Sequence, residues 1–143
     1  MSIDQSDSDL FILKEPDAAC LARQLVHGVG NHQMRKATVL LAFFRNGYWL
    51  RRFTDESGLN AVEPADDPTS VNWTRVRELL TDPDLLDDPR IEPGSMAPHL
   101  AILGIAASLA AGHPVDLRQA ALQLPGTDWR RAMSVMASAA DFM

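Results

Sequence analysis

Between Ala18 and Thr54 the chain carries six positive charges, Arg23, Arg35, Lys36, Arg45, Arg51 and Arg52, and not one acidic residue. Five of its nine aromatic residues, Phe43, Phe44, Tyr48, Trp49 and Phe53, crowd into eleven positions of that stretch. The next segment reverses sign. From Asp55 to Glu92, eleven acids stand against Arg75, Arg77 and Arg90. A chain that separates charge this sharply has two options. It neutralises itself by folding one segment against the other, or it presents a basic, aromatic face to an anionic partner. In the first case the aromatics fill the core while the arginines snorkel to solvent or pair with the acidic loops. In the second they form a site.

A length of 143 residues predicts a single domain with a core large enough to fold without staples. With 46% hydrophobic and 22% charged residues the composition is that of ordinary globular material. The net charge of −6 argues against a nonspecific nucleic-acid binder, whose affinity rests on neutralising phosphates. Cys20 is the lone cysteine, so no intrachain disulfide forms. A reducing cytoplasm fits that count, with the thiol buried and inert. The first nine residues are acidic and polar, the opposite of a signal-peptide start, and are expected to form a disordered tail ahead of a domain spanning 10–143. Arginine dominates over lysine and alanine is abundant, which suggests a GC-rich bacterial genome.

Helical spacing and breakers divide the rest. Pro16-Asp17 starts a helix over 18–26 that Gly28 and Gly30 stop. Asn31 caps a second helix from about His32 to Arg45, with Met34, Ala37, Leu41 and Phe44 as its apolar positions. Asn46-Gly47 permits a competing β-hairpin across residues 38–54, because that dipeptide is also a strong hairpin turn. The helix formers before it favour the helix. A long acidic loop covers 55–71, and Asn72 caps a short helix ending near Asp82-Pro83. Ser95 opens the most apolar helix, Met96–Ala111, which Gly112 ends. Asp116 with Gln119 resembles a capping box for Leu117–Gln123. A final helix from Thr127 or Asp128 buries Trp129, Ala132, Met133, Met136 and Ala140. The expected architecture is all-α, a single compact bundle of five or six helices with a long acidic loop and no strong strand.

The favoured functional expectation is a non-enzymatic interaction or regulatory module. It binds a partner protein through Arg45, Tyr48, Trp49, Arg51 and Arg52, since guanidinium groups fork onto carboxylates and aromatic faces supply contact area. The alternative is a nucleic-acid-associated regulator of helix-turn-helix type. It would use Arg51 and Arg52, or Arg130 and Arg131 on the second helix of the terminal pair. That outline is weak, because any two short antiparallel helices give it and the flanking charge is neutral. Gly104, Ser108 and Gly112 recur at i, i+4 and i+8, a small-residue row suited to close core packing and secondarily to a homodimer seam. Sixteen apolar residues are too few for a membrane span, which needs about twenty.

Catalytic and metal constellations fare worse. His27 and His32 fall on different helix faces, and His99 and His113 lie roughly 20 Å apart along one helix. Cys20 and His27 sit on neighbouring turns without a third orienting group. Asp82, Asp84, Asp87 and Asp88 superficially suggest calcium, but the turn glycine and closing glutamate are missing. They are expected to be caps and solvated loop charges. No enzyme activity, cofactor or metal is expected.

Overall fold

The computed structural model describes residues 16–28, 31–64, 66–92 and 94–140. The expected tail at 1–9 lies outside them. Among the described residues the fold is roughly all-α, with seven α-helices rather than five or six. They are α1 (Pro16–His27), α2 (His32–Phe43), α3 (Tyr48–Asp55), α4 (Trp73–Thr81), α5 (Met96–Ala111), α6 (Leu117–Gln123) and α7 (Gly126–Ala140). Short 3₁₀ turns occupy Phe44–Asn46, Ser57–Leu59 and Pro83–Leu86. Two two-residue strands, β1 (Val62–Glu63) and β2 (Ser70–Val71), pair antiparallel inside the segment expected to be loop.

The additional helix is α3. Asn46-Gly47 joins two helices and no hairpin forms, because Gly47 at φ 76° closes the 3₁₀ turn by donating to Phe44 O at 3.1 Å. The chain then re-enters the helical region, where Trp49, Leu50 and Phe53 share one inward ridge. Caps match their sequence signals in three places. Asn31 accepts from Met34 N, Asn72 from Arg75 N, and Asp116 from Arg118 N and Gln119 N. Ser95 makes no side-chain cap; its carbonyl instead accepts from His99 Nδ1 at 3.0 Å.

Helix α5 is the central element. It is buried from Ala101 to Ala107 and packs most extensively on α2, then on α4, α6 and α7. Around it gather Leu25, Leu40, Leu41, Trp49, Phe53, Val76, Leu79 and Leu86 in one cluster. Helix α1 buries Ala19, Ala22, Leu25 and Val26, which turns Cys20, Gln24 and His27 outward at i, i+4 and i+7. Cys20 is therefore exposed, not buried as expected. The inward face of α7 is also rotated from expectation. Ala132, Val135 and Ala139 are buried, Trp129 and Met136 are half-buried, and Met133 and Ala140 are exposed. No helix among the described residues is long and apolar enough to cross a membrane.

Candidate functional site

The chain reversal before α3 is unusual in its backbone. Arg45 (φ 49°), Asn46 (φ 53°) and Gly47 (φ 76°) are three successive residues in the left-handed region. Only the last is a glycine, so Arg45 holds a conformation that bulky L-residues rarely adopt. Its guanidinium lies 5.3 Å from the Phe44 ring centre, and its carbonyl accepts from Arg51 Nη2 at 3.1 Å. The reversal thus brings Arg51 back against the main chain of Arg45.

Beneath it, α3 divides two adjacent arginines. Arg51 points to solvent, while Arg52 is only 5% exposed. A buried guanidinium must have its N–H groups satisfied. Arg52 Nε donates to Glu56 Oε2 at 2.9 Å, and Nη2 donates to Asp87 O at 2.9 Å. Nη1 donates to Leu86 O and, at 3.4 Å, to the Tyr48 hydroxyl. The guanidinium also stands 5.6 Å from the Trp49 ring centre. Trp49 itself is fully buried; its Nε1 donates to His99 O at 2.9 Å, and its ring packs on Tyr48 and Phe53.

Asp88 closes the arrangement from the acidic segment. It is a buried carboxylate rather than the solvated loop charge expected of it. It accepts from the Tyr48 hydroxyl at 2.8 Å and from Arg90 N, Nε and Nη2 at 2.9–3.0 Å. Pro89 sits between Asp88 and Arg90, and the turn it occupies carries the arginine back onto its own neighbour. These bonds hold the Asp88 carboxyl well below the usual carboxylate range, Arg90's hydrogen bonds foremost, against the opposing pull of burial. Tyr48 is pushed up to about 12, first by burial and then by its bond to Asp88, with nearby Arg52 pulling the other way. Arg90 in turn has its pKa raised by Asp88.

The result is a cavity of about 260 Å³ with Tyr48, Arg52 and Asp88 at its base and Arg51, Asp55, Glu56, Arg90 and Ile91 around them. Arg90 is largely exposed and its Nη2 reaches Glu56 Oε2 at 3.5 Å. Of the five expected contact residues, Arg45 and Arg51 are on the surface and Tyr48 is half-buried. Trp49 and Arg52 lie inside. Arg90, Asp88 and Glu56 are members that sequence reasoning missed. The signal available was the Asp88-Pro89-Arg90 turn, together with the need of a lone tyrosine hydroxyl for a partner.

The other sequence candidates are dispersed. Arg130 is exposed at the surface of α7, whereas Arg131 stacks on Phe43, with its guanidinium 4.2 Å from the ring centre. Cys20 and His27 are both exposed on α1, separated by roughly 10 Å of helical rise. His99 is buried between the Phe44 and Tyr48 rings, and His113 is half-buried past the end of α5. Asp82, Asp84 and Asp87 are exposed, and no trio of His, Cys, Asp or Glu gathers among the described residues. In the small-residue row, Gly104 is buried opposite Val115, Ser108 is half-buried and Gly112 (φ 72°) ends α5 in the left-handed region. No protein-family model matches the chain, and neither a curated protein nor a solved structure gives a significant match to it.

Proposed function

We propose that this chain is a non-enzymatic interaction module that docks an acidic segment of a partner protein on the cavity rim at Arg51 and Arg90, with exposed Arg45 beside Arg51. The observation that carries the reading is the division of Arg51 from Arg52. Arg52 spends its donors on Leu86 O, Asp87 O and Glu56. Arg51 spends only Nη2, on Arg45 O, and holds the rest of its fork at the mouth of the cavity. An open guanidinium fork matches a carboxylate bidentately. Tyr48 and Ile91 offer the apolar contact beside it. In this reading Trp49 and Arg52 act from below, fixing α3 and the 84–92 segment so that the rim is rigid.

The electrostatics favour binding over catalysis. A general acid or base works best with a pKa near neutrality. Tyr48 is moved upward and Asp88 downward, each away from that range.

The test is direct binding of a fluorescent peptide rich in Asp and Leu, against its Lys counterpart and a DNA duplex. The acidic peptide binds best, and Arg45→Glu with Arg51→Glu weakens it about tenfold without changing thermal stability. Equal binding of the two peptides, indifferent to the double variant, would end the reading. Preferential duplex binding that collapses with salt and on Arg130→Ala would replace it with the nucleic-acid alternative.

A further inference from the structure

Among the described residues, three guanidinium groups and three carboxylates line the arginine cavity: Arg51, Arg52 and Arg90 against Asp55, Glu56 and Asp88. Two of each close on one another. Arg52 Nε meets Glu56 Oε2 at 2.9 Å, and Arg90 Nε meets Asp88 Oδ1 at 2.9 Å. Arg51 and Asp55 are left over. They stand at i and i+4 on α3, the spacing that Arg52 and Glu56 use one residue later, yet no ion pair joins them. Among the described residues the exposed Asp55 carboxylate has neither an ion-pair nor a hydrogen-bond partner.

The cause lies in the reversal before α3. Arg45 holds φ 49° and ψ 45°, and its carbonyl accepts from Arg51 Nη2 at 3.1 Å. That bond draws the Arg51 guanidinium toward the start of the helix, away from Asp55 at its end. Left-handed backbone at a bulky residue gathers at functional sites. Here it holds a cation and an anion apart on one helix face, each unmatched by an opposite charge. Asp55 is also the last residue of α3, where orphan carbonyls give the helix a partial negative charge. A cation brought to that end is attracted by the carboxylate and the helix together.

We infer that the cavity selects a mixed-charge segment, with a carboxylate on Arg51 and a lysine or arginine of the same segment on Asp55. The inference rests on the docking reading above and adds Asp55 to it as a specificity-determining residue. A segment with acids only gains Arg51 but sets its next carboxylate against Asp55. The six charged groups of the cavity cancel, so the open pair, not a net field, distinguishes one segment from another. Side chains at i and i+4 on a helix lie about 5–6 Å apart at Cβ. Alternate residues of an extended chain share a face and lie about 6–7 Å apart. The matching signature is an acid and a base with one residue between them.

Fluorescence anisotropy on the full chain tests this with peptides that differ at one position. Their cores are Asp-Leu-Lys, Asp-Leu-Gln and Asp-Leu-Asp, each also made in the reverse order. In one of the two orders the Lys peptide binds about threefold more tightly than the Gln peptide, the worth of one exposed ion pair, and the Asp-Leu-Asp peptide binds least. Asp55→Asn brings the Lys and Gln peptides level, and Asp55→Lys makes the Asp-Leu-Asp peptide the tightest. Circular dichroism and thermal melts check that both variants are folded. A native chain without the Lys preference overturns the inference, as does a preference that survives Asp55→Asn. If all three peptides bind equally and lose affinity together on Arg51→Glu, the docking reading stands and Asp55 selects nothing. Binding of none of the three removes the docking reading and this inference with it.

Discussion

The Tyr48 hydroxyl donates to Asp88 Oδ2 at 2.8 Å, joining α3 to a loop forty residues later and closing it over the buried Arg52. Tyr48 is the sole tyrosine, so its ionisation is directly visible in ultraviolet absorbance. The native chain should titrate near 12 instead of the ordinary 10. The unfolded chain releases this proton first. Its contribution to stability is therefore complete below pH 10 and is lost as pH rises through about 12. Asp88→Asn keeps an acceptor but removes the charge, and should move the midpoint back toward 10. A midpoint unchanged by that variant means the bond does not hold the phenol.

Arg51→Ala and Arg52→Ala should differ sharply although the residues are adjacent. Arg51 is exposed, and its removal should change stability by no more than about 0.5 kcal/mol. Arg52→Ala strands the buried Leu86 carbonyl, an unsatisfied group costing about 1–3 kcal/mol, and removes the partner of the part-buried Asp87 carbonyl. Arg52→Lys should recover only part of the loss, since one ammonium cannot span two carbonyls, Glu56 and Tyr48 together. Urea denaturation of the three variants decides this, and equal midpoints for Arg51→Ala and Arg52→Ala would remove Arg52's structural role.

Much of this was legible in the sequence, and what was not has physical reasons. Caps at Asn31, Asn72 and Asp116 are local chemistry, so the residue type alone announces them. Helix α5 was legible because sixteen nearly uncharged residues between Ser95 and Gly112 leave no other economical structure. Helix α3 was hidden by Asn46-Gly47, a dipeptide that serves hairpins and helix ends equally. The site was half visible. Charge segregation pointed to Arg51 and Arg52 together, but which one is buried depends on the phase of a helix that the sequence did not announce. The acidic segment does meet the basic one, through Glu56 and the main-chain carbonyls of Leu86 and Asp87 on Arg52 and through Asp88 on the Tyr48 hydroxyl, rather than by wholesale pairing. Carbonyl partners carry no sequence signal at all.

Two glycines should respond oppositely to alanine. At Gly28 an added Cβ would stand 2.6 Å from Thr69 Oγ1 and 3.1 Å from Thr69 O, while the Gly28 amide donates to that carbonyl at 3.0 Å. Helix α1 lies this close to β2 only because no side chain intervenes, and Gly28→Ala should cost about 1–3 kcal/mol. At Gly104 the new methyl meets only an ordinary contact at 3.7 Å, inside a helix where alanine is preferred by about 0.5–1 kcal/mol. Gly104→Ala should therefore raise the denaturation midpoint of the chain. A stable Gly28→Ala would show that the α1–β2 approach relaxes freely.

Acid should destabilise the chain in two separable steps. His99 donates through Nδ1 to Ser95 O and packs edge-on against Phe44 and Tyr48, 5.0 and 4.6 Å from their ring centres. Burial foremost, with Arg45 nearby, holds its pKa below the ordinary 6.5; burial lowers His113 as well. The unfolded chain takes up these protons first, so stability falls as pH drops below about 6.5. His99→Gln and His113→Gln should each flatten part of that limb, and their separate contributions identify which histidine dominates it. The second step belongs to Asp88. Its depressed pKa adds stability above the ordinary carboxylate value of 3.8, and that stability is lost as pH falls through the native value. Asp88→Asn should lower stability at neutral pH and abolish this lower limb while leaving the histidine limb in place. Thermal melts across pH, run on the native chain and the three variants, measure both limbs, and an acid limb untouched by Asp88→Asn would mean that other carboxylates control it.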